Sequence, residues 1–252
     1  MSAYRILPIH AQLPLPGAKL PQPWVAAAPQ QLNHTLQSYY DALIQAHGPQ
    51  HWWPGRTRFE IIVGAILTQN TSWTNVERAI HNLRHEKLLS PAAIERVSPA
   101  RLARLIRSSG YFRQKARKLK AFVHFLRKAH GGSLTKMFRA PTAALRGQLL
   151  AVHGIGPETA DSILLYAGKH PVFVVDAYTR RILERHQLAH AKQSYEEIRA
   201  LFENNLPRNT ALFNEYHGLI VRTGKEFCRA RAPLCENCAL RPFLPAPPEA
   251  TP

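Results

Sequence analysis

The stretch Leu149-Leu150-Ala151-Val152-His153-Gly154-Ile155-Gly156-Pro157-Glu158-Thr159-Ala160-Asp161 constrains this chain more than any other. It reads as two helices joined by a tight hairpin, with Gly154 and Gly156 in the turn and Pro157 at the start of the second helix. Such a hairpin points backbone N–H groups outward beside the positive end of a helix dipole. Together these make a phosphate clamp that is indifferent to nucleotide sequence. One acidic residue, Asp176, follows shortly after in Val174-Val175-Asp176. A phosphate clamp beside a lone carboxylate points to chemistry on DNA.

Helical periodicity runs through most of the chain. Leu32, Leu36, Tyr39, Tyr40 and Leu43 recur at helix spacing, as do Phe59, Ile62, Val63, Ile66 and Leu67, and later Phe122, Phe125 and Leu126. Ser90-Pro91, Ser98-Pro99 and Ala140-Pro141-Thr142 mark helix starts, and Gly110, Gly131-Gly132 and Gly168 mark ends. Val172-Phe173-Val174-Val175 is the one β-like run, and it is short. The fold class is therefore all-α. Repeated prolines set residues 1–30 apart as a flexible or semi-extended tail, and residues 242–252 have the same character.

Charge narrows the partner. Lys and Arg number 33 against 16 acidic residues, a formal charge of +17, and such an imbalance favours an anionic partner. Nucleic acid comes first. An anionic membrane comes second, but no strongly amphipathic basic helix with a spare apolar face accompanies the charge. No apolar run approaches the ~18 residues of a membrane span. Three cysteines, all between 228 and 238, do not make a disulfide framework and suit a reducing cytosol. With no signal peptide in view, the expectation is a cytoplasmic, nucleoid-associated bacterial protein acting as a monomer.

The hairpin Gly154-Ile155-Gly156 resembles that of the helix-hairpin-helix (HhH-GPD) DNA glycosylases, the endonuclease III superfamily. Gly64-Ala65-Ile66-Leu67-Thr68-Gln69-Asn70-Thr71 and Ser109-Gly110-Tyr111-Phe112-Arg113-Gln114-Lys115-Ala116 extend the likeness, which covers roughly Trp52 to Cys238. Trp52-Trp53-Pro54 and Glu158 place it nearest the Helicobacter-type 3-methyladenine glycosylase branch. The resemblance implies two helical lobes flanking a DNA-binding cleft. One is a six-helix barrel over 57–168 containing the hairpin. The other is a discontinuous helical domain made of 31–56 and 169–241, ending in a cysteine-containing loop.

Asp176 falls where the superfamily keeps its catalytic aspartate, although Asp is also a favoured helix cap. Cleaving an N-glycosidic bond builds cationic character on the sugar. An anion ~4 Å away at an effective dielectric of ~20 stabilises it by ~4 kcal/mol, roughly three decades of rate. Bifunctional members carry a Schiff-base lysine where this chain has Glu158. A carboxylate cannot form that adduct, so the reading is a monofunctional enzyme with AP lyase activity in doubt. Lys169 is the nearby lysine that could substitute.

An alkylated purine already carries positive charge and leaves easily, so flipping and recognition remain as the main tasks. Trp52, Trp53, Pro54 and Phe59 are the expected pocket walls, offering stacking and cation–π attraction. The resemblance implies that Gln69 fills the gap left by the flipped base. Asn70, His153, Gly154, Ile155, Gly156 and Thr159 join it as DNA-binding residues, while Trp73 either touches the opposite strand or packs. Arg113, Lys115, Arg117, Lys118 and Lys120 form a basic run that either tracks phosphates or is a solvated face.

Cys228-x6-Cys235-x2-Cys238 resembles the first three ligands of the superfamily's [4Fe–4S] loop, whose fourth ligand would fall at Leu244. Three arrangements are open. These are a loop without metal, a cluster with a non-cysteine fourth ligand, or zinc held by the three cysteines and a group such as His217. The preferred reading is an incomplete or lost cluster, with no cofactor required for catalysis. His81 and His85 are four apart on a helix but lack a Glu partner motif, so no metal is expected there.

The sequence thus points to a base-excision DNA glycosylase acting on damaged double-stranded DNA, with alkylated purines such as 3-methyladenine as substrates. Two alternatives stand beside it: an endonuclease III-like glycosylase/AP lyase for oxidised pyrimidines, and a catalytically silent helix-hairpin-helix DNA-binding protein.

Overall fold

The computed structural model describes residues 29–245, with side chains from 31 onward, so most of the two proline-rich tails lies outside the described residues. The helices are α1 (Pro29–His47), α2 (Arg58–Leu67), α3 (Trp73–His85), α4 (Pro91–Arg96), α5 (Pro99–Leu105), α6 (Phe112–His130), α7 (Leu134–Met137), α8 (Thr142–Leu150), α9 (Pro157–Ser162), α10 (Ala177–Arg185), α11 (Tyr195–Asn205) and α12 (Thr210–Glu226). A π-helical turn, Ile163–Gly168, follows α9 directly. No strand forms among the described residues, and the fold is all-α.

Local chemistry sets the helix ends. Ser90 and Ser98 accept from the Ala93 and Arg101 amides, with Pro91 and Pro99 in the first turns of α4 and α5. Ser194 and Glu197 form a reciprocal capping box at α11. Gly131, at φ 62°, closes α6.

Helix α2 is apolar nearly all round, with Ile62, Val63, Ile66 and Leu67 completely buried. It packs against α3, α6, α9 and the π-turn. At the other end of the molecule α1 packs on α11 and α12, and α10 packs on α12, so the start of the described chain closes on its end. The π-turn touches both α2 and α12 and bridges these two sets.

Several expectations need correction. The β-like run Val172–Val175 is buried but pairs with no strand. Two of its amides turn to side chains of α11 instead: Phe173 N donates to Glu203 Oε1 (2.9 Å) and Val175 N to the Tyr195 hydroxyl (3.4 Å), while Val172 N donates to the His170 carbonyl (2.9 Å). The apolar run thus records burial, not sheet. The C-terminal tail does not begin at 242. Arg241–Phe243 is a 3-10 turn, and the Phe243 ring lies 4.9 Å from Tyr39. At the other end, Pro29 already starts α1.

Phe59 is 4% exposed and faces the core, so it is not a pocket wall. The basic run of α6 is divided. Arg113 and Arg117 are exposed, but Lys115 is 2% exposed and its ammonium donates to the Leu67 (2.9 Å) and Ser109 (2.6 Å) carbonyls. Burial, with Lys118 nearby, pulls its pKa down to about 8. Lys120 likewise donates to the Glu95 carbonyl (2.8 Å) and to that of Val97, at the end of α4. These two lysines tie helix ends together and do not track phosphates.

Replacing Lys115 by Met keeps the apolar stem but strips donors from two carbonyls. We expect a loss of ~2–3 kcal/mol, a melting point lower by about 5–10 °C. The salt dependence of nucleic-acid binding should stay at the wild-type slope. Thermal unfolding and salt titration check both.

Candidate active site and nucleic-acid interface

Asp176 is the N-cap of α10. Its Oδ1 accepts from the Thr179 amide (2.8 Å) and hydroxyl (2.9 Å), and the Thr179 hydroxyl lies 3.5 Å from the Asp176 amide. The cap residue has the extended backbone geometry (φ −113°, ψ −175°) of a helix N-cap. Oδ2 is left facing His217 Nε2 at 3.7 Å. The cap and the expected catalytic carboxylate are therefore one residue, with Oδ1 engaged in the cap and Oδ2 outside it.

That second oxygen faces a cavity of about 430 Å³, within the range of small-ligand sites. Trp52, Trp53 and Pro54 line it, and Trp73 joins them. Trp53 stacks on Tyr166 (4.9 Å, 24°) and meets Trp73 (5.0 Å, 83°) and Trp52 (5.7 Å, 81°) edge to face. Gly218 lets α12 approach this wall, since a Cβ there would stand 2.8 Å from Trp52 Cβ. Gln69 and Thr159 lie where the cavity meets the hairpin, and Glu158, Asp176, Tyr178, His217 and Lys225 complete the polar side.

The hairpin borders an adjoining open groove lined by Gln69, Asn70, Lys118, His153, Gly154, Ile155, Gly156 and Thr159. All the residues expected to bind DNA therefore meet in one place, but not all present side chains. Ile155 is 4% exposed and its amide bonds the Val152 carbonyl (3.0 Å), so it anchors the turn to the core and offers no contact. Thr159 is also buried. Gly154 needs to be glycine twice over. Its φ is 82°, and a Cβ would lie 2.5 Å from the Lys118 side chain. Gln69 reaches across to this turn, donating to the Gly154 carbonyl (3.2 Å) and the Thr159 hydroxyl (2.9 Å) and accepting from Lys118. Asn70, at φ 53°, is exposed beside it.

Glu158 lies in the first turn of α9, in the mouth of the cavity. Desolvation by the surrounding protein and the Asp176 carboxylate push its carboxyl up to about 7, against a smaller pull from Arg180. The side chain is nonetheless exposed, so solvent screens part of this effect. Lys169, the lysine considered as a substitute amine, caps the π-turn and is exposed away from the cavity lining. The cavity contains a different lysine, Lys225, with its ammonium 5.9 Å from the centre of the Trp52 ring.

The cysteine loop packs elsewhere. Cys228, Cys235 and Cys238 line one small cavity together with His186, Arg185 and Leu244. Arg185 donates to Cys228 Sγ (3.2 Å) and to the Arg229 (2.8 Å) and Ala230 (3.1 Å) carbonyls, strapping the loop to α10. Among the described residues no three His, Cys, Asp or Glu side chains gather as they must around a single metal ion. Leu244 presents a hydrocarbon side chain where a fourth thiolate is needed, so these residues do not fit a four-cysteine cluster. His217, named with the cysteines as a zinc donor, belongs to the other cavity, beside Asp176.

Three residues of the site carry little local signal. His217 suggests only a metal donor, and neither Lys225, in the cavity lining, nor Tyr166, packed behind it against Trp53 and His217, belongs to a short motif. They reach the site through the packing of the π-turn and α12 around Trp52, which no short motif encodes.

An all-helical chain with a glycine hairpin, a capped aspartate and an aromatic cavity between its helices has the architecture of a base-removing DNA repair enzyme. Residues 63–208 match the model of the HhH-GPD superfamily of base excision DNA repair proteins, and the chain belongs to that family as a DNA glycosylase of the endonuclease III kind. A Methanocaldococcus jannaschii protein named as a candidate DNA repair glycosylase is 47% identical over 210 residues, 82% of this chain and 94% of that one. Endonuclease III of Thermotoga maritima is 30% identical over 184 residues, 73% of this chain and 80% of its own. The solved structure of Helicobacter pylori 3-methyladenine DNA glycosylase bound to 1,N6-ethenoadenine superimposes with a TM-score of 0.66 at 28% identity, covering 79% of this chain and 98% of that one. Among the described residues no helix is long and apolar enough to cross a membrane.

Glu158 makes a pH prediction. The folded carboxyl holds its proton up to about 7, whereas the unfolded one releases it near the ordinary glutamate value. Folding therefore gains from this group at low pH and loses that gain as pH rises through 7. Glu158→Gln should match the wild type in stability below pH 5 and exceed it at pH 8. After the discount for solvent at an exposed side chain, the excess is about 1 kcal/mol, or 2–4 °C in melting temperature. A melting difference independent of pH would show that Glu158 titrates normally.

Proposed function

We propose that this protein is a monofunctional DNA glycosylase that hydrolyses the N-glycosidic bond of alkylated purines in double-stranded DNA, acting as a monomer. The observation that carries the reading is the cavity itself, where an aromatic wall of Trp52, Trp53 and Trp73 faces the Asp176 carboxylate. A cationic methylpurine, extruded from the duplex, stacks on electron-rich rings and is held by cation–π attraction. As the bond breaks, Asp176 stabilises positive charge building on the sugar. The likeness to a glycosylase described as acting on 3-methyladenine supports the same substrate class.

In this reading the free amides of the hairpin and the start of α9 bind a backbone phosphate. His153, Asn70 and Lys118 flank that position, and Gln69 exchanges its bonds to Gly154 and Thr159 for the gap in the duplex. Hydrolysis calls on no cofactor, and the cysteine loop with Leu244 is an incomplete cluster loop that serves as packing.

Lys225 favours a second reading, a glycosylase/lyase, because it places an amine at the cavity despite Glu158. The two readings separate on chemistry: a lyase traps as a covalent adduct with borohydride.

Base release from methylated duplex DNA tests the proposal. Wild type should release methylpurine and leave the strand intact until alkali. Asp176→Asn should lose about 10²–10³-fold in rate while melting near the wild-type temperature, since Asn also caps helices well. Binding should weaken with salt at a log–log slope of ~−0.9 per phosphate neutralised. No release from methylated DNA would overturn the substrate assignment, and a borohydride adduct lost in Lys225→Met would establish the second reading.

A further inference from the structure

His217 is 4% exposed on α12, and its two ring nitrogens face different partners. Nδ1 is 2.7 Å from the Tyr166 hydroxyl. Nε2 is buried without a hydrogen-bond partner among the described residues and stands 3.7 Å from Asp176 Oδ2, in a residue that borders the cavity. An unpaired buried nitrogen aimed at the catalytic carboxylate is costly unless something fills the gap during turnover.

The proton inventory is constrained. Tyr166 is 1% exposed, and burial raises its hydroxyl well above the ordinary phenol value, so it keeps its proton and can donate to Nδ1. Burial also lowers the His217 imidazole, against a pull from Asp176, so the ring is neutral and carries a single proton. With Nδ1 accepting from Tyr166, that proton sits on Nε2, the side facing the anion. The 3.7 Å separation is too long for a direct hydrogen bond. A water admitted between them during turnover would bridge that spacing, accepting from Nε2–H and donating to Oδ2.

We propose that His217 Nε2 and Asp176 Oδ2 together hold the attacking water, with Tyr166 fixing the imidazole so that its N–H points into the cavity. This rests on the hydrolytic reading above. The water oxygen forms the new bond to the sugar C1′ as the C1′–N bond breaks. The electron pair of that bond leaves with the cationic purine, which departs neutral. The proton released by the attacking water passes to Asp176. His217 holds the water oxygen and is not consumed.

The test uses the full-length protein in single-turnover release of methylpurine, with melting and affinity for an abasic-analogue duplex measured alongside. Glutamine places an amide N–H near the position of Nε2, and leucine places none. His217→Leu should lose about 10²-fold in release rate at unchanged duplex affinity. His217→Gln should retain most of the rate, and Tyr166→Phe should fall between them. Independently of substrate, ¹⁵N-histidine NMR should show His217 as the neutral Nε2–H tautomer, its resonance assigned by its loss in His217→Gln.

A folded His217→Leu that releases base at the wild-type rate would overturn the proposal. So would a folded His217→Gln as slow as His217→Leu, or an Nδ1–H or imidazolium signal. Failure of the underlying reading looks different. In that case the wild type itself releases no methylpurine or forms a borohydride adduct, while the tautomer measurement still decides how His217 is held.

Discussion

The capping box at the start of α10 is the interaction on which the site depends. A helix N-terminus leaves amides unpaired, and Asp176 satisfies one with Oδ1 while Thr179 turns its hydroxyl back toward the cap. This fixes the carboxylate with one oxygen bound and the other, Oδ2, presented to the cavity. The extended segment before it, 172–175, is pinned by Glu203 and Tyr195 of α11, so the cap cannot drift. A structural requirement of any helix start thereby sets the orientation of a carboxylate in the cavity lining.

Around that carboxylate the protein builds a wall of aromatic rings supported from two directions. Trp53 leans on Tyr166 of the π-turn and on Trp73, and Trp52 packs on α12 at Gly218. A π-turn widens the helical spiral at the point where Tyr166 must reach both Trp53 and His217. The wall, the carboxylate and the hairpin come from separate stretches of chain. The cavity exists only because α2, α12 and the π-turn pack together.

The strong positive charge is not all presented to a partner. Lys115, Lys120, Arg181 and Arg185 spend their donors on backbone carbonyls at helix ends and in the cysteine loop. Arg146 pairs with the fully buried Asp161 (2.7 Å) and with Glu196 (2.7 Å), joining α8 and α9 to α11. Long cations here satisfy polar backbone that apolar side chains cannot. A count of basic residues therefore overstates the surface available to a phosphate backbone.

By itself the sequence determined the helical class, several helix starts, the glycine hairpin and a cap residue at Asp176. Each of these is written in local chemistry: serine before proline, glycine where φ is positive, apolar residues at helix spacing. Tertiary structure decided what periodicity does not record. It sent Phe59 to the core, Lys115 and Lys120 to carbonyls, and Ile155 into the turn's anchor. It left the apolar run at 172–175 without a strand, with two of its amides bonded to side chains of α11. It brought His217 to Asp176 rather than to the cysteines, although the cysteines are the nearer in sequence. Whether a polar side chain becomes a ligand, a strut or a site residue depends on which partners packing delivers to it, and many of those partners lie far away along the chain.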